Sequence, residues 1–283
     1  MTEDPRLVGD LPEGPAASNW SRLDDTGHAG EFVQYLDAAD TTPEILEWKQ
    51  HGLRLLQLRP GLRVLEAGCG PGFAARMMAR MVAPGGSVLG LDKSATMIEQ
   101  AVARGGDDSL LVEFRQGDIH ALELPDESFD RSWADRTFQH LEDPTRAIAE
   151  LTRVTRRGGR VVVSDPDWGT GVLSGADPEV SERISRAIER TVRNGRIARD
   201  MPGLFADSGL VDIEVLAIPY TSRDLAGLTP DQHPFFAAAI ASREMSGLSD
   251  TELRAWIDEM TAGIPTGRML IAGLGFAVGG VKP

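Results

Sequence analysis

The sequence predicts an α/β fold, a parallel sheet with helices on both faces and a ligand edge marked by glycines and acids. Three observations predict it. First, short apolar runs rich in β-branched residues alternate with amphipathic segments between Arg63 and Ser164. Such runs are strands buried on both faces, and the amphipathic segments are the crossovers that a parallel sheet requires. Second, the stretch VLEAGCGPG (Val64 to Gly72) sets three glycines in five positions directly behind the first run. Third, an acidic residue closes or follows each of the first three strands: Glu66, Asp92 and Asp118. Right-handed crossovers bring all of these to one edge, at the strands' carboxyl ends, where ligands bind.

The elements follow in order. The first thirty residues are rich in Gly, Pro, Asp and Ser and read as an irregular lead-in. Phe32, Tyr35 and Leu36 fall at helical spacing, and Ile45, Leu46, Trp48, Leu53, Leu55 and Leu56 extend a helical pair to Pro60-Gly61. Strands are predicted at Arg63–Ala67, Ser87–Leu91, Leu110–Phe114, Ser128–Trp133 and Arg160–Ser164, the last written RVVVS. Helices are predicted at Phe73–Val82, Ala95–Ala103 and Thr145–Val154. Beyond Pro166 the spacing lengthens. Glu179 to Asn194 reads as a long polar helix, Val211 to Tyr220 as a strand, Thr229 to Met260 as helical, and Arg268 to Val281 as a glycine-bearing final strand. Two late strands around a helical insertion predict an antiparallel hairpin closing the sheet, with the insertion, about residues 222–262, as a lid. Residues 1–60 are then a lead-in and helical cap, and residues 61–283 the main domain.

At 283 residues the chain is long enough for one large domain or a domain with a cap. Its net charge of −14 opposes a nucleic-acid partner, because a phosphate backbone would need a basic face able to overcome that field. The basic clusters RVTRRGGR (Arg153 to Arg160) and Arg183 to Arg199 read as solvated surface. A small-molecule substrate fits this balance best. The longest weakly polar stretch, Met269 to Val281, holds four glycines and is too short to span a bilayer as a helix, so no membrane insertion is expected. The acidic start MTEDPRLVGD has no signal-peptide character, which makes a cytoplasmic location the default. Cys69 is the sole cysteine, which removes intrachain disulfides and cysteine-cluster metal sites, and no other spacing resembles a metal site.

The glycine loop admits several nucleotides. A dinucleotide fingerprint, counted from Gly68 and Gly70, needs a third glycine where Phe73 stands. Counted from Gly70 and Gly72 it lands on Ala75, which a looser fingerprint accepts, so a nicotinamide dehydrogenase stays open. A phosphate loop is excluded because no Gly-Lys-Ser/Thr follows. An acidic strand end at Glu66 suits a ligand with ammonium and sulfonium charges better than a pyrophosphate. Asp92 can accept both hydroxyls of a ribose or cap the next helix, a task Ser94 can also perform. Asp118, beside the apolar Ile119, can accept from an adenine amino group or simply form a turn.

The chain resembles the class I S-adenosyl-L-methionine-dependent methyltransferases, in the broad small-molecule group of ubiquinone/menaquinone and natural-product enzymes. The resemblance is carried by RVLEAGCGPG (Arg63 to Gly72), VLGLDKSATMIEQA (Val88 to Ala101), GDIHALELPDESFD (Gly117 to Asp130), ADRTFQHLEDP (Ala134 to Pro144) and LTRVTRRGGRVVVSDPDW (Leu151 to Trp168). It implies a Rossmann-like sheet of seven strands, mostly parallel with the last antiparallel. It implies S-adenosylmethionine as cofactor and S-adenosylhomocysteine as product. Glu66 with Gly68, Gly70 and Gly72 would surround the methionine moiety, Asp92 the ribose, and Asp118 with Ile119 the adenine. Lys93, Met97, Gly117 and Asp135 join these contacts, with Tyr35 closing over the cofactor.

Methyl transfer needs alignment and dryness, and an acid–base group only where the acceptor must lose a proton. The fourth strand runs into Asp135-Arg136-Thr137-Phe138-Gln139-His140, which lacks the Pro-Pro-Tyr/Phe signature used on planar amino nitrogens. His140 is the candidate general base, or else caps a helix starting near Asp143. Asp165 is the candidate that orients or assists it, or else a turn residue before Pro166. Phe32, Tyr35, Trp168, His233 to Phe236 and Met245 are expected to form the acceptor pocket. A protein that uses the same cofactor for a rearrangement or cyclisation would carry an identical loop, and the motifs specify neither the acceptor atom nor an oligomeric state.

Overall fold

The computed structural model describes residues 20, 23–25, 29–105, 109–225 and 233–283. Most of the expected lead-in, and residues 226–232 of the expected helical insertion, lie outside the described residues. The chain runs α1 (Ala29–Asp40), α2 (Pro43–Leu56), β1 (Arg63–Ala67), α3 (Phe73–Val82), β2 (Ser87–Asp92), α4 (Ala95–Ala103), β3 (Val112–Gln116) and β4 (Phe129–Asp135). It continues with α5 (Pro144–Val154), β5 (Thr155–Ser174), α6 (Pro178–Thr191), α7 (Ile197–Asp207) and β6 (Val211–Ser222). The last elements are α8 (Pro234–Ala241), α9 (Arg243–Ser246), α10 (Asp250–Ala262) and β7 (Leu270–Val281).

The seven strands form one sheet in the order β3-β2-β1-β4-β5-β7-β6. β1 to β5 pair in parallel, and β7 runs antiparallel between β5 and β6. Strand alternation sorts side chains to two cores. Leu65, Val161 and Val163 pack on the side of α5 and α7, while Val64, Val88 and Val162 pack beneath α2 and α3. Both cores are needed because a parallel sheet must be covered twice. On the α2 side, Gly275 of β7 is required: a Cβ there would overlap the indole of Trp48. Helix α2 therefore lies flat on the sheet, next to the cavity described below.

Three expectations need correction. The fifth strand does not stop at Ser164 but continues to Ser174, paired with β7 as far as Ser174↔Leu270. Its pairing with β4 ends at Asp135↔Ser164, so Pro166 has only β7 beside it and no ladder bond is lost. A further helix, α7, was not anticipated, because Pro202-Gly203 in its interior mimics a break. α7 buries Ile197, Ala198, Met201 and Phe205 against the sheet. α6 instead joins the insertion: Ile184 and Ile188 share a core with Phe236, Leu253, Trp256 and Met260. The basic clusters also differ from a plain solvated face. Arg153 pairs with Glu150 and Asp126, Arg160 with Glu214, and Arg199 with the buried Asp167. Among the described residues, no helix is long and apolar enough to cross a membrane.

Candidate active site

A cavity of about 330 Å³ lies over the carboxyl ends of β1, β2, β4 and β5, between α2, the glycine loop and α8. The glycine loop forms its first wall. Gly68, Gly70 and Gly72 take positive φ values of 80°, 50° and 82°, which β-carbon-bearing residues seldom adopt. The N–H groups of Gly68 and Cys69 donate to the carbonyl of Leu91, and that of Gly70 to Asp92 Oδ2 at 2.8 Å. The loop is thereby tied to the end of β2. Gly72 departs from its expected role: it does not line the cavity but starts α3, where a side chain would collide with Phe114 and Arg76. The N-terminus of α3 has no side-chain cap, and Phe73 and Ala74 of its first turn line the cavity.

Glu66 is 3% exposed, and its Oε2 has no hydrogen-bond partner. Burial pushes its carboxyl up to about 8. Lys49 opposes that rise, and Asp135, Asp40 and Asp92 add to it. Lys49 reaches Asp135 at 3.1 Å and Asp40 at 3.4 Å, and Arg136 reaches Asp40 at 3.0 Å. Asp135 Oδ1 accepts from Trp48 Nε1 at 2.8 Å and Ser164 Oγ at 3.0 Å. Burial would raise Asp135, but Lys49 and Arg136 hold it below the usual range. Asp135 thus lines the cavity with its oxygens already engaged, as the hub joining α2 to the sheet. Lys49, Asp40 and Arg136 were missed in the sequence. The available signal was a lysine directly after Trp48 on an otherwise apolar helix face.

The third wall lies beyond β2 and β3. Asp92 accepts from the N–H of Gly70 and, through Oδ1, from that of Ser94 at 2.9 Å; burial raises its carboxyl despite those donors. Ser94, not Asp92, caps α4. Burial also works against Asp118, but His120, at 2.6 Å, and Lys93, at 3.0 Å, hold it down at about 2. Gly117, Ile119, Met97, Lys93 and Tyr35 all line the cavity. Trp20 packs against Tyr35 and stacks on His140, with ring centroids 5.7 and 5.6 Å apart.

His140 lines the cavity at the end of a 3₁₀ turn, Phe138–His140. It does not cap the next helix. Asp143 does so itself, accepting from the N–H of Arg146 at 2.9 Å, and His120 Nε2 accepts from the N–H of Asp143. Asp165 does not line the cavity and is no turn residue. It lies within β5 and is fully buried. Its oxygens accept from the N–H groups of Phe138 at 3.0 Å and Gln139 at 3.3 Å, so it holds the turn rather than the imidazole. Asn194 grips the same turn from outside, donating to the carbonyls of Phe138 and Leu141. Of the expected acceptor pocket, Tyr35, Trp168, His233 and Phe235 line the cavity. Phe32 and Phe236 are buried in separate cores, and Met245 is 55% exposed on the surface. Tyr220 and Ser222 of β6 and Ile271 of β7 take their place. Among the described residues no cluster of metal ligands occurs.

The family profile described as a methyltransferase domain matches residues 65–163, the span from β1 through the parallel part of β5. The chain is 37% identical over 238 residues to an uncharacterized 37.1 kDa protein in transposon TN4556 of Streptomyces fradiae, covering 82% of this chain and 67% of that one. It is 33% identical over 177 residues to the ubiquinone/menaquinone biosynthesis C-methyltransferase UbiE of Bordetella parapertussis, covering 58% of this chain and 69% of that one. Against the malonyl-[acyl-carrier protein] O-methyltransferase of Erwinia billingiae the match is shorter, and the chain spans 39% of that protein. A Haemonchus contortus phosphoethanolamine N-methyltransferase, solved with S-adenosylhomocysteine, shares the fold at a TM-score of 0.58 and 19% identity, over 96% of this chain and 61% of that one. The chain belongs to the class I S-adenosylmethionine-dependent methyltransferases, and its cofactor is S-adenosylmethionine. The residues present fit that cofactor: the unpartnered, buried Oε2 of Glu66 faces a shared cavity with the glycine loop and is matched to a cationic group.

Proposed function

We propose that the protein transfers a methyl group to an oxygen, nitrogen or carbon centre of a small hydrophobic or aromatic metabolite. The observation that carries this reading is one continuous cavity, running from buried Glu66 and the glycine loop to an aromatic wall of Trp168, Tyr220 and Phe235. Its volume, about 330 Å³, lies within the range of small-molecule sites. The net charge of −14 favours such an acceptor over a nucleic acid. The name of the UbiE relative, given for ubiquinone/menaquinone biosynthesis, supports a hydrophobic ring.

The cofactor, when bound, supplies a methyl group on a positively charged sulfur already activated for displacement. Glu66 would hold the methionine end. Asp92 would hold the ribose, since a carboxylate has about four lone-pair sites and its backbone donors are the N–H groups of Gly70, Ser94 and Lys93. Asp118 and Ile119 would flank the adenine, with Lys93, Met97 and Gly117 around them and Tyr35 above. His140 takes the proton of an acceptor hydroxyl, amine or acidic carbon, and Asp165 is a positioning residue that acts through the backbone of the turn.

The test is incubation of the protein with methyl-labelled S-adenosylmethionine and a metabolite extract. Label is expected in a small, apolar product. Tight cofactor binding without transfer to any component would replace methylation with another use of the same cofactor.

A further inference from the structure

The cavity contains two kinds of polar side chain, those already committed and those that are not. Thr42 and Thr137 donate their hydroxyls to the carbonyls of Ala39 and Asp135. Ser222 donates to the carbonyl of Asp224. Gln139 accepts from Trp168 Nε1 and donates to the carbonyl of Arg136. Each of these is already tied into the fold by at least one internal bond. Glu66 is the uncommitted group at the end formed by β1 and the glycine loop. At the other end, formed by β5, β6, β7 and α8, the side chain with a buried polar atom and no partner is His233.

His233 is 7% exposed, lines the cavity, and has a buried Nδ1 with no hydrogen-bond partner. It occupies the N-cap position of α8, where a side chain ordinarily accepts from the first turn, yet its ring makes no cap bond. Its imidazole is not spent on helix structure. The ring is held by an edge contact with Phe236, centroids 5.5 Å apart, and Phe236 is locked in the lid core beside Phe235 and Trp256. A buried nitrogen without a partner is destabilising, a cost that a bound ligand's polar group would remove.

Resting on the methyltransferase reading above, we infer that His233 is a specificity-determining residue that engages a hydroxyl group on an otherwise apolar, ring-bearing acceptor. The surrounding wall is apolar and aromatic: Trp168, Phe235, Ala237, Ala238 and Ile271. A hydroxyl both donates and accepts, so it pairs with Nδ1 in either imidazole tautomer. Burial pulls the imidazole down to about 4, with Asp224 the charged group opposing that shift, so the ring is neutral near pH 7. A neutral ring offers a carboxylate or phosphate no ion pair to offset the cost of bringing a charge into a dry wall. It discriminates by hydrogen bonding.

The test compares two isosteric probes, 2-naphthol and 2-methylnaphthalene, by calorimetric or fluorescence titration of the whole chain. Wild type is expected to bind the naphthol about tenfold more tightly, although the hydroxyl makes the ring less hydrophobic. His233→Leu and His233→Met are expected to reduce that preference to less than about twofold, and His233→Gln to keep most of it. Equal binding of the two probes by wild type, or an undiminished preference in either folded apolar variant, overturns the inference. S-adenosylhomocysteine titrated separately reads the cofactor end. Its failure to bind wild type strikes the methyltransferase reading, while the naphthol comparison still judges His233.

Discussion

A carboxyl group in an apolar pocket loses its hydration and recovers it only if something positive arrives. Glu66 is in that position, with its pKa raised to about 8. Below the ordinary carboxylate range both folded and unfolded chains hold the proton, and above about 8 neither does. Between those limits the folded chain keeps a proton that the unfolded chain releases, so Glu66 makes stability fall as pH climbs from about 4.5 to about 8. Glu66→Gln should therefore flatten this part of the stability–pH profile and leave the ligand-free protein a few kcal/mol more stable at pH 8, measured by urea unfolding. The same variant should bind S-adenosylmethionine about 30- to 100-fold more weakly, because a charge-assisted contact is lost. His140 makes a second prediction at this scale. His140→Ala should lower the maximal rate by about 10²–10⁴ with saturating acceptor, leaving cofactor affinity near wild type. An unchanged maximal rate would exclude it as the base.

At the scale of an element, α2 is the informative one. Its apolar face packs on the sheet, yet Lys49 on the same helix is only 4% exposed and is held between Asp40 and Asp135. Such a lysine is not worth much as an attraction, but removing it strands buried carboxylates. Lys49→Met should cost about 3–5 kcal/mol in chemical unfolding. It should also push Glu66 further up, since Lys49 is the principal group holding its pKa down. The 3₁₀ turn Phe138–His140 follows the same logic on a smaller scale. Its amides are satisfied by Asp165 and its carbonyls by Asn194, so the histidine at its end is placed by partners remote in sequence.

At the scale of the molecule, the cavity draws on the end of the sheet that β1 and β2 form and on the end that β6 and β7 form, and α8 adds a wall from the insertion. A ligand that binds this folded cavity and not the unfolded chain stabilises the whole fold. S-adenosylhomocysteine at a hundredfold over its Kd should add about 2.7 kcal/mol, roughly 5 °C in melting temperature by thermal scan. In Glu66→Gln the shift at the same ligand concentration should be largely lost.

What was readable without coordinates was whatever depends on neighbours along the chain. Val161, Val162 and Val163 announce a buried strand by their branching, and Glu66, Asp92 and Asp118 announce the ligand edge by their place at strand ends. Even the local errors have local causes: Pro202 concealed a helix, and Pro166 made a long strand look short. The sequence by itself determined the parallel sheet, its ligand edge and the class of cofactor. It did not determine which side chains meet. Only the tertiary structure paired Lys49 with Asp135 across 86 residues and set Asp165 under the turn that carries His140. It also buried His233 without a partner in the acceptor wall. The reason is physical: strand and turn propensities act within a few residues, whereas desolvation and pairing of charges depend on distances that exist only once the chain has folded.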